Sequence, residues 1–332
     1  MKISVPIRRV EIVNNPEEIL KLLPMGMSIP MWPEFKKYII FDLKHFNAQS
    51  LLLMEDSSPA GHALIFNVDE KILYFGFFGV LGDTQEKIER LIVELIEFAR
   101  KNGFEVLKGP VNIPTIIYGW GFMEKGSSTS LFVHNPVNSP LYGDVFRQKG
   151  FTEVLKEHTF EGNFRQTTSE FLKGHSFIDY ELVVFDSWEE IASHKIEFLK
   201  LNVRNLSPRS VVTPSSAVVF DNYLEFIKFY GDPSMAVFTR FKRTKKLIGC
   251  FIATPNPFDK HSAVLFSIAL DKKHRSKGLG WWMINEVLVN SLKLGIDYCT
   301  AIVGSHVDRA IDISGKLGLP LSRTHTVFHY SL

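Results

Sequence analysis

The hexapeptide Arg275-Ser276-Lys277-Gly278-Leu279-Gly280 constrains this chain most, because of what stands on either side of it. Before it runs an apolar stretch of strand character, Ala263-Val264-Leu265-Phe266-Ser267-Ile268-Ala269-Leu270. After it, Trp281 to Leu294 carries a helical pattern. The order is strand, glycine-bearing turn, helix. Glycines in such a turn let backbone N–H groups converge on a ligand. The helix start adds unsatisfied N–H groups and the positive end of its dipole. Together they form a pyrophosphate cradle. Two common phosphate motifs do not fit. The dinucleotide fingerprint needs three glycines, and the hexapeptide has Gly278 and Gly280 only. The triphosphate loop needs Gly-Lys-Ser/Thr, whereas Lys277 precedes its glycine.

What remains is Arg-x-x-Gly-x-Gly after a strand ending Ile268-Ala269-Leu270-Asp271. From Ile268 to Met283 this resembles the acetyl-CoA loop of the GCN5-related N-acetyltransferase (GNAT) superfamily. The resemblance implies an α/β fold of the α+β type with a mixed sheet, the acyl-CoA N-acyltransferase domain. It implies acetyl-CoA (CoA) as cofactor and acyl transfer, acetyl first, to a primary amine of a small molecule or protein. In its terms, the backbone of Ile268 and Leu270 pairs with the pantetheine arm. Arg275, Ser276, Lys277, Gly278, Leu279 and Gly280 hold the pyrophosphate, Ser276 adding a hydroxyl and Lys277 a charge.

The family often places an acidic Tyr four residues before the glycine that ends the helix after its fifth strand. Counted back from Gly318, that position is Ser314, a poor acid for a thiolate. In the first half the same position is Phe146. His306, just past the fifth strand, is the other catalytic candidate, since imidazole titrates near neutrality. A turn histidine with its ring in solvent is the plainer reading of it. Asp308 reads as a helix N-cap, and Glu225 and Tyr223 as surface and core residues of a helix. His274 reads as solvent-facing. Core packing accounts for Trp281 and Trp282.

The chain repeats itself in outline. Each half reads strand, helices, hairpin, strand, helix, strand, helix, strand. A helix stopped by Gly103 before Phe104 has its counterpart in one stopped by Gly295 before Ile296, and the stop at Gly150 matches Gly318. Gly103 to Gly150 is 47 positions and Gly295 to Gly318 is 23, so the first half carries 47 − 23 = 24 extra residues. They fall within the Gly-, Ser-, Asn- and Pro-rich stretch 112–142, which holds Asn112, Tyr118, Trp120 and His134. The expected division is 1–165, a degenerate GNAT-like domain without a phosphate loop, and 166–332, the domain that carries it. The stretch equivalent to the loop in the first half, Gly79 to Glu86, has no basic residue and places Asp83 and Glu86 where a pyrophosphate needs positive potential.

A length of 332 residues suits two domains, and a net charge of +2 disfavours nucleic acid and acidic membrane surfaces as partners. The basic run Arg240 to Lys246 is short, sits on a hairpin turn and reads as solvated, or as an attraction for the CoA 3′-phosphate. Cys250 and Cys299 fall in strands and are expected as buried free thiols. No metal-ligand spacing, signal-peptide core or membrane-length apolar run is present, so a cytoplasmic protein is expected. Two alternatives stand beside the acetyltransferase: a CoA-binding sensor or scaffold without turnover, and a GNAT-fold transferase using another donor, such as an aminoacyl-tRNA or a longer acyl-CoA. The sequence leaves the amine acceptor and the oligomeric state open.

Overall fold

The computed structural model describes residues 8–26, 30–164, 172–174, 176–205 and 217–332. These form two compact units that do not divide at one point of the chain. Among described residues, the first comprises 8–157, 217–223 and 323–332, and the second 158–205 and 224–322. The sequence predicts a first strand over residues 3–13 and a polar linker over 162–174; residues 3–7 of the one and 165–171 of the other lie outside the described residues.

In the first unit, β1 (Arg8–Val13), β2 (Gln49–Glu55), β3 (Ser58–Asn67) and β4 (Ile72–Val80) pair antiparallel in chain order. The run Asn15-Pro16-Glu17-Glu18 predicts a helix cap, and Asn15 does cap α1 (Pro16–Leu22), accepting from the Glu17 and Glu18 N–H groups. A helix not expected from the sequence, α2 (Lys36–His45), follows Pro33 and the one-turn Pro33–Phe35. After β4 comes α3 (Gln85–Lys101), which buries Ile88, Leu91, Ile92, Leu95 and Ala99 at helical spacing. β5 (Val106–Gly109) then pairs parallel to β4.

The long insertion folds into α4 (Thr115–Tyr118) and β6 (Phe122–Met123), followed by α5 (Leu141–Gln148). Phe146 on α5 sits among Phe78, Phe122 and Phe151, at ring-centroid distances of 5.0, 4.9 and 4.7 Å. The abundant phenylalanine of this chain thus builds an aromatic core here.

β7 (Thr152–Asn163) leaves the first unit, and its residues from 158 onward belong to the second. There, β8 (Tyr180–Val184), β9 (Ala236–Phe241), β10 (Lys246–Asn256) and β11 (Asp259–Leu270) pair antiparallel in the order β8-β9-β10-β11. The helices are α6 (Trp188–Ser193), α7 (Lys195–Asn205), α8 (Ala217–Tyr230), whose residues up to Tyr223 belong to the first unit, α9 (Leu279–Lys293) and α10 (Asp308–Lys316). Where α6 and α7 stand, the sequence predicts one helix, Ser187 to Asn202, with Ser187 as its cap and Glu190 three residues later. Its expected cap holds: Ser187 accepts from the Glu190 N–H at 3.2 Å. The Glu190 carboxylate reaches back to the Asp186 N–H at 3.0 Å.

β12 (Tyr298–Gly304) pairs parallel to β11. β13 (Leu321–Ser331) starts in the second unit and finishes in the first, where Phe328 to Ser331 pair with β5. The four helix-stop glycines of the repeat, Gly103, Gly150, Gly295 and Gly318, all adopt positive φ between 72° and 87°. Both cysteines are buried and free.

Candidate active site

The β11–β12 ladder begins at Ser262/Tyr298 and ends at Leu265/Ala301. β11 nevertheless runs on along β10 to Leu270, and β12 runs on to Gly304. A bulge in β11 stands where the ladder ends, because Ile252 faces Ser267 while Ala253 faces Leu265. The two parallel strands therefore part, and the Ile268–Leu270 stretch borders the opening. The Ile268 side chain is 45% exposed there, a high value for an apolar side chain inside a sheet.

At the end of β11, Asp271 caps a single turn, Lys272–His274, by accepting from the Lys273 N–H. Arg275 turns back and donates from Nε to the Leu270 carbonyl at 3.0 Å, bracing the strand end. Ser276 at φ +63° and Gly278 at φ +79° then curl the backbone into the first turn of α9. Arg275, Ser276 and Lys277 are exposed, and Leu279 anchors the loop as a fully buried residue. The nearest atom to a Cβ placed on Gly280 is Ile268 Cδ1, at 3.8 Å. The space before the helix start is thus bordered by β11 and open. Gly278 is the N-cap of α9, with no side-chain cap bond. Its first N–H groups are therefore available to an anion. The residues present fit a pyrophosphate-bearing thioester cofactor.

Two residues support this loop in ways the sequence did not disclose. His274, expected in solvent, is half-buried, with its ring centroid 5.0 Å from that of Phe241. Tyr180, 97 positions earlier than Lys277, takes a hydrogen bond from the Lys277 ammonium at 2.9 Å. Trp282 stacks on Phe177 at 4.2 Å, and Trp281 packs against the main core of the unit.

His306 follows the end of β12, half-buried, with its ring against Gly304. A Cβ there would come within 2.7 Å of the imidazole Cε1. Asp308 is the first residue of α10, and Val307 holds the cap position expected for it. Ser314 is buried, and its hydroxyl donates to the Ala310 carbonyl at 3.0 Å, one turn earlier in α10. That proton is committed to the helix.

The first unit contains the same parting of strands, filled by its own chain. The β4–β5 ladder ends at Tyr74/Lys108, and β4 continues to Val80 past a bulge at Phe77 and Phe78. Into the gap come Val111, whose N–H donates to the Phe75 carbonyl at 2.7 Å, and the buried Asn112. Asn112 Oδ1 accepts from the Phe77 N–H at 2.6 Å, and Nδ2 donates to the Tyr118 carbonyl at 3.1 Å. At the loop, the Tyr142 hydroxyl donates to Asp83 and accepts from the Val80 N–H at 3.2 Å. Backbone groups that serve as ligand contacts in an open cleft are here satisfied internally, beside a carboxylate.

Residues 204–319 match the Acetyltransferase (GNAT) family. Residues 204–319 therefore carry a GNAT domain, and the chain as a whole has the fold of tandem GNAT proteins. A tandem GNAT protein from the clavulanic acid biosynthesis pathway superposes with a TM-score of 0.60 at 12% identity, over 97% of this chain and 98% of that one. A GCN5-related N-acetyltransferase from Sphaerobacter thermophilus gives 0.57 at 11%, over 97% and 95%. The GCN5-related glucosamine N-acetyltransferase region of a fungal multi-domain β-N-acetylglucosaminidase gives 0.62 at 14%, over 99% of this chain and 38% of that one. At these identities the likeness shows the fold. No curated protein matches the sequence. Acyl transfer is the chemistry this family supports. Among the described residues no helix is long and apolar enough to cross a membrane, and no group of three metal-ligating side chains forms.

Proposed function

We propose that the second unit of this GNAT protein transfers an acetyl group from acetyl-CoA to a primary amine. The observation that carries this reading is the early end of the β11–β12 ladder, directly before a loop with open N–H groups. Bound there, acetyl-CoA supplies the acyl thioester: the amine nitrogen bonds to the acyl carbon, the carbon–sulfur bond breaks, and the amine proton balances the released thiol. The β11 backbone at Ile268 and Leu270 aligns the cofactor arm. Leu270 does so through its N–H, since its carbonyl is taken by Arg275. The N–H groups from Ser276 to Gly280 hold the pyrophosphate, the Arg275 N–H being bonded to the Lys272 carbonyl at 3.4 Å, with Lys277 as the nearby cation.

His306, two residues past the end of β12, is the residue we assign to proton transfer. Ser314 has no part in it, because its hydroxyl is buried and bonded within α10. That same observation gives the second reading its support: a CoA-binding protein without turnover.

Isothermal titration with acetyl-CoA and with CoA, wild type beside Gly280→Asp, tests the proposal. The open space at Gly280 accepts the substitution, while the added carboxylate repels the pyrophosphate. Binding in wild type that is lost in the variant supports the site. No binding in wild type refutes it. CoA release with a panel of amines then separates transferase from sensor, and His306→Gln reduces that release while leaving the acetyl-CoA affinity in place.

A further inference from the structure

We propose that the loop carries a second anion subsite beside the pyrophosphate cradle, formed by Lys277, Tyr180 and His274, which takes the phosphomonoester at the 3′ position of CoA. The inference rests on the cofactor reading above and adds to it a recognised group and the residues that recognise it. The three side chains form a chain of hydrogen bonds. Lys277 Nζ lies 2.9 Å from Tyr180 Oη, and Tyr180 Oη lies 3.2 Å from His274 Nδ1.

The direction of that chain follows from donor capacity. An ammonium only donates, so Tyr180 Oη accepts from Lys277; toward His274 Nδ1 it donates in the Nε2–H tautomer, the one that a bound anion selects. The neutral imidazole then carries its hydrogen on Nε2. Both ends of the relay are therefore donors: the ammonium retains two N–H groups, and the imidazole presents Nε2–H.

The relay is held in place from below. Tyr180 is 5% exposed at the start of β8 and packs with Ile248 and Leu279. The Lys277 ammonium lies 5.5 Å from the centre of its ring, and His274 stands edge-on to it at 5.8 Å. The local charge is mainly positive. Lys272, Lys273, Arg275 and Lys277 lie in the same turn, and its one carboxylate, Asp271, is engaged by the Lys273 N–H at 2.9 Å. A phosphomonoester carries more negative charge per group than a pyrophosphate linkage, about −1.5 to −2 at neutral pH, and suits such a donor set.

The basic run at the β9–β10 turn is a weaker candidate for this role. Arg240 is paired with Glu181 at 3.0 Å, and Lys242 donates to the Ile178 carbonyl at 2.9 Å.

The test compares CoA with 3′-dephospho-CoA by isothermal titration, in wild type, Tyr180→Phe and His274→Gln. Wild type should prefer CoA by about tenfold or more, the worth of one charge-assisted hydrogen bond. Both variants should lose that preference to within about twofold, and should hold 3′-dephospho-CoA as wild type does. Equal binding of the two ligands by wild type overturns the subsite and leaves the cofactor reading intact. Equal loss of both ligands in Tyr180→Phe also overturns it, since the tyrosine is then only a support. Binding of neither ligand by wild type overturns the cofactor reading, and the subsite with it.

Discussion

Asn112→Ala tests whether the first unit is held shut by its own side chain. The amide is 3% exposed and makes two hydrogen bonds, to the Phe77 N–H at 2.6 Å and the Tyr118 carbonyl at 3.1 Å. Truncation strands both backbone groups where the β4–β5 ladder has already ended. A buried polar group left without a partner costs about 1–3 kcal/mol, so the pair costs about 2–6 kcal/mol. A domain of this size is stable by about 5–15 kcal/mol, which makes the loss large. Urea unfolding read by amide hydrogen exchange at Phe77 and its β4 neighbours reports on the first unit selectively.

Asn112→Asp supplies a second reading of the same geometry. The carboxylate still accepts from Phe77 but faces the Tyr118 carbonyl with an acceptor. Its loss should be full at pH 7 and smaller at pH 4, where a protonated carboxyl can donate. A loss under about 0.5 kcal/mol in Asn112→Ala, the scatter of ordinary surface substitutions, would show that the amide does not close the gap.

Gly278→Ala should destabilise the second unit by about 1 kcal/mol, since φ +79° disfavours a Cβ, while Gly280→Ala should be close to neutral in thermal unfolding. Asp42 is buried beside Asn222 and Tyr223, and burial pushes its pKa from 3.8 up to about 7 against the pull of those two hydrogen bonds. The folded chain thus keeps a proton that the unfolded chain releases. This stabilisation is complete below about pH 4 and is lost as pH rises to 7. The unfolding midpoint of the first unit should fall between pH 5 and 7.5, and Asp42→Asn should flatten part of that slope. Glu157, which burial pushes up to about 8, supplies another part. Burial raises the Cys299 thiol to about 12, so iodoacetamide at pH 8 should label it only after denaturation.

Local signals carried much of this in the sequence. A proline or asparagine before a helix, a serine with glutamate three residues later, and glycine after a helix act over a few residues. The caps at Asn15 and Ser187 and the four stop glycines were legible for that reason. The strand-turn-helix around Arg275 to Gly280 was legible because its three parts are contiguous. Helix α2 has its marks too, Pro33 before it and Lys44 and His45 in its last turn, but its apolar pattern is too weak to predict a helix.

What depends on distant partners was closed to inspection of the chain. Asn112 plugs a gap at Phe77, 35 positions away, and Tyr180 meets Lys277 across 97. Nothing in the asparagine or the tyrosine announces its partner, because a hydrogen bond leaves no period in a sequence. The ending of each parallel ladder belongs to the same class. β11 and β4 are as apolar beyond their bulges as before them, and only the partner strand decides where pairing stops. The repeat told the order of elements twice over. It could not tell that residues 323–332, written at the end of the second copy, complete the first unit, because a strand's alternation fixes which face is buried and not which edge it joins.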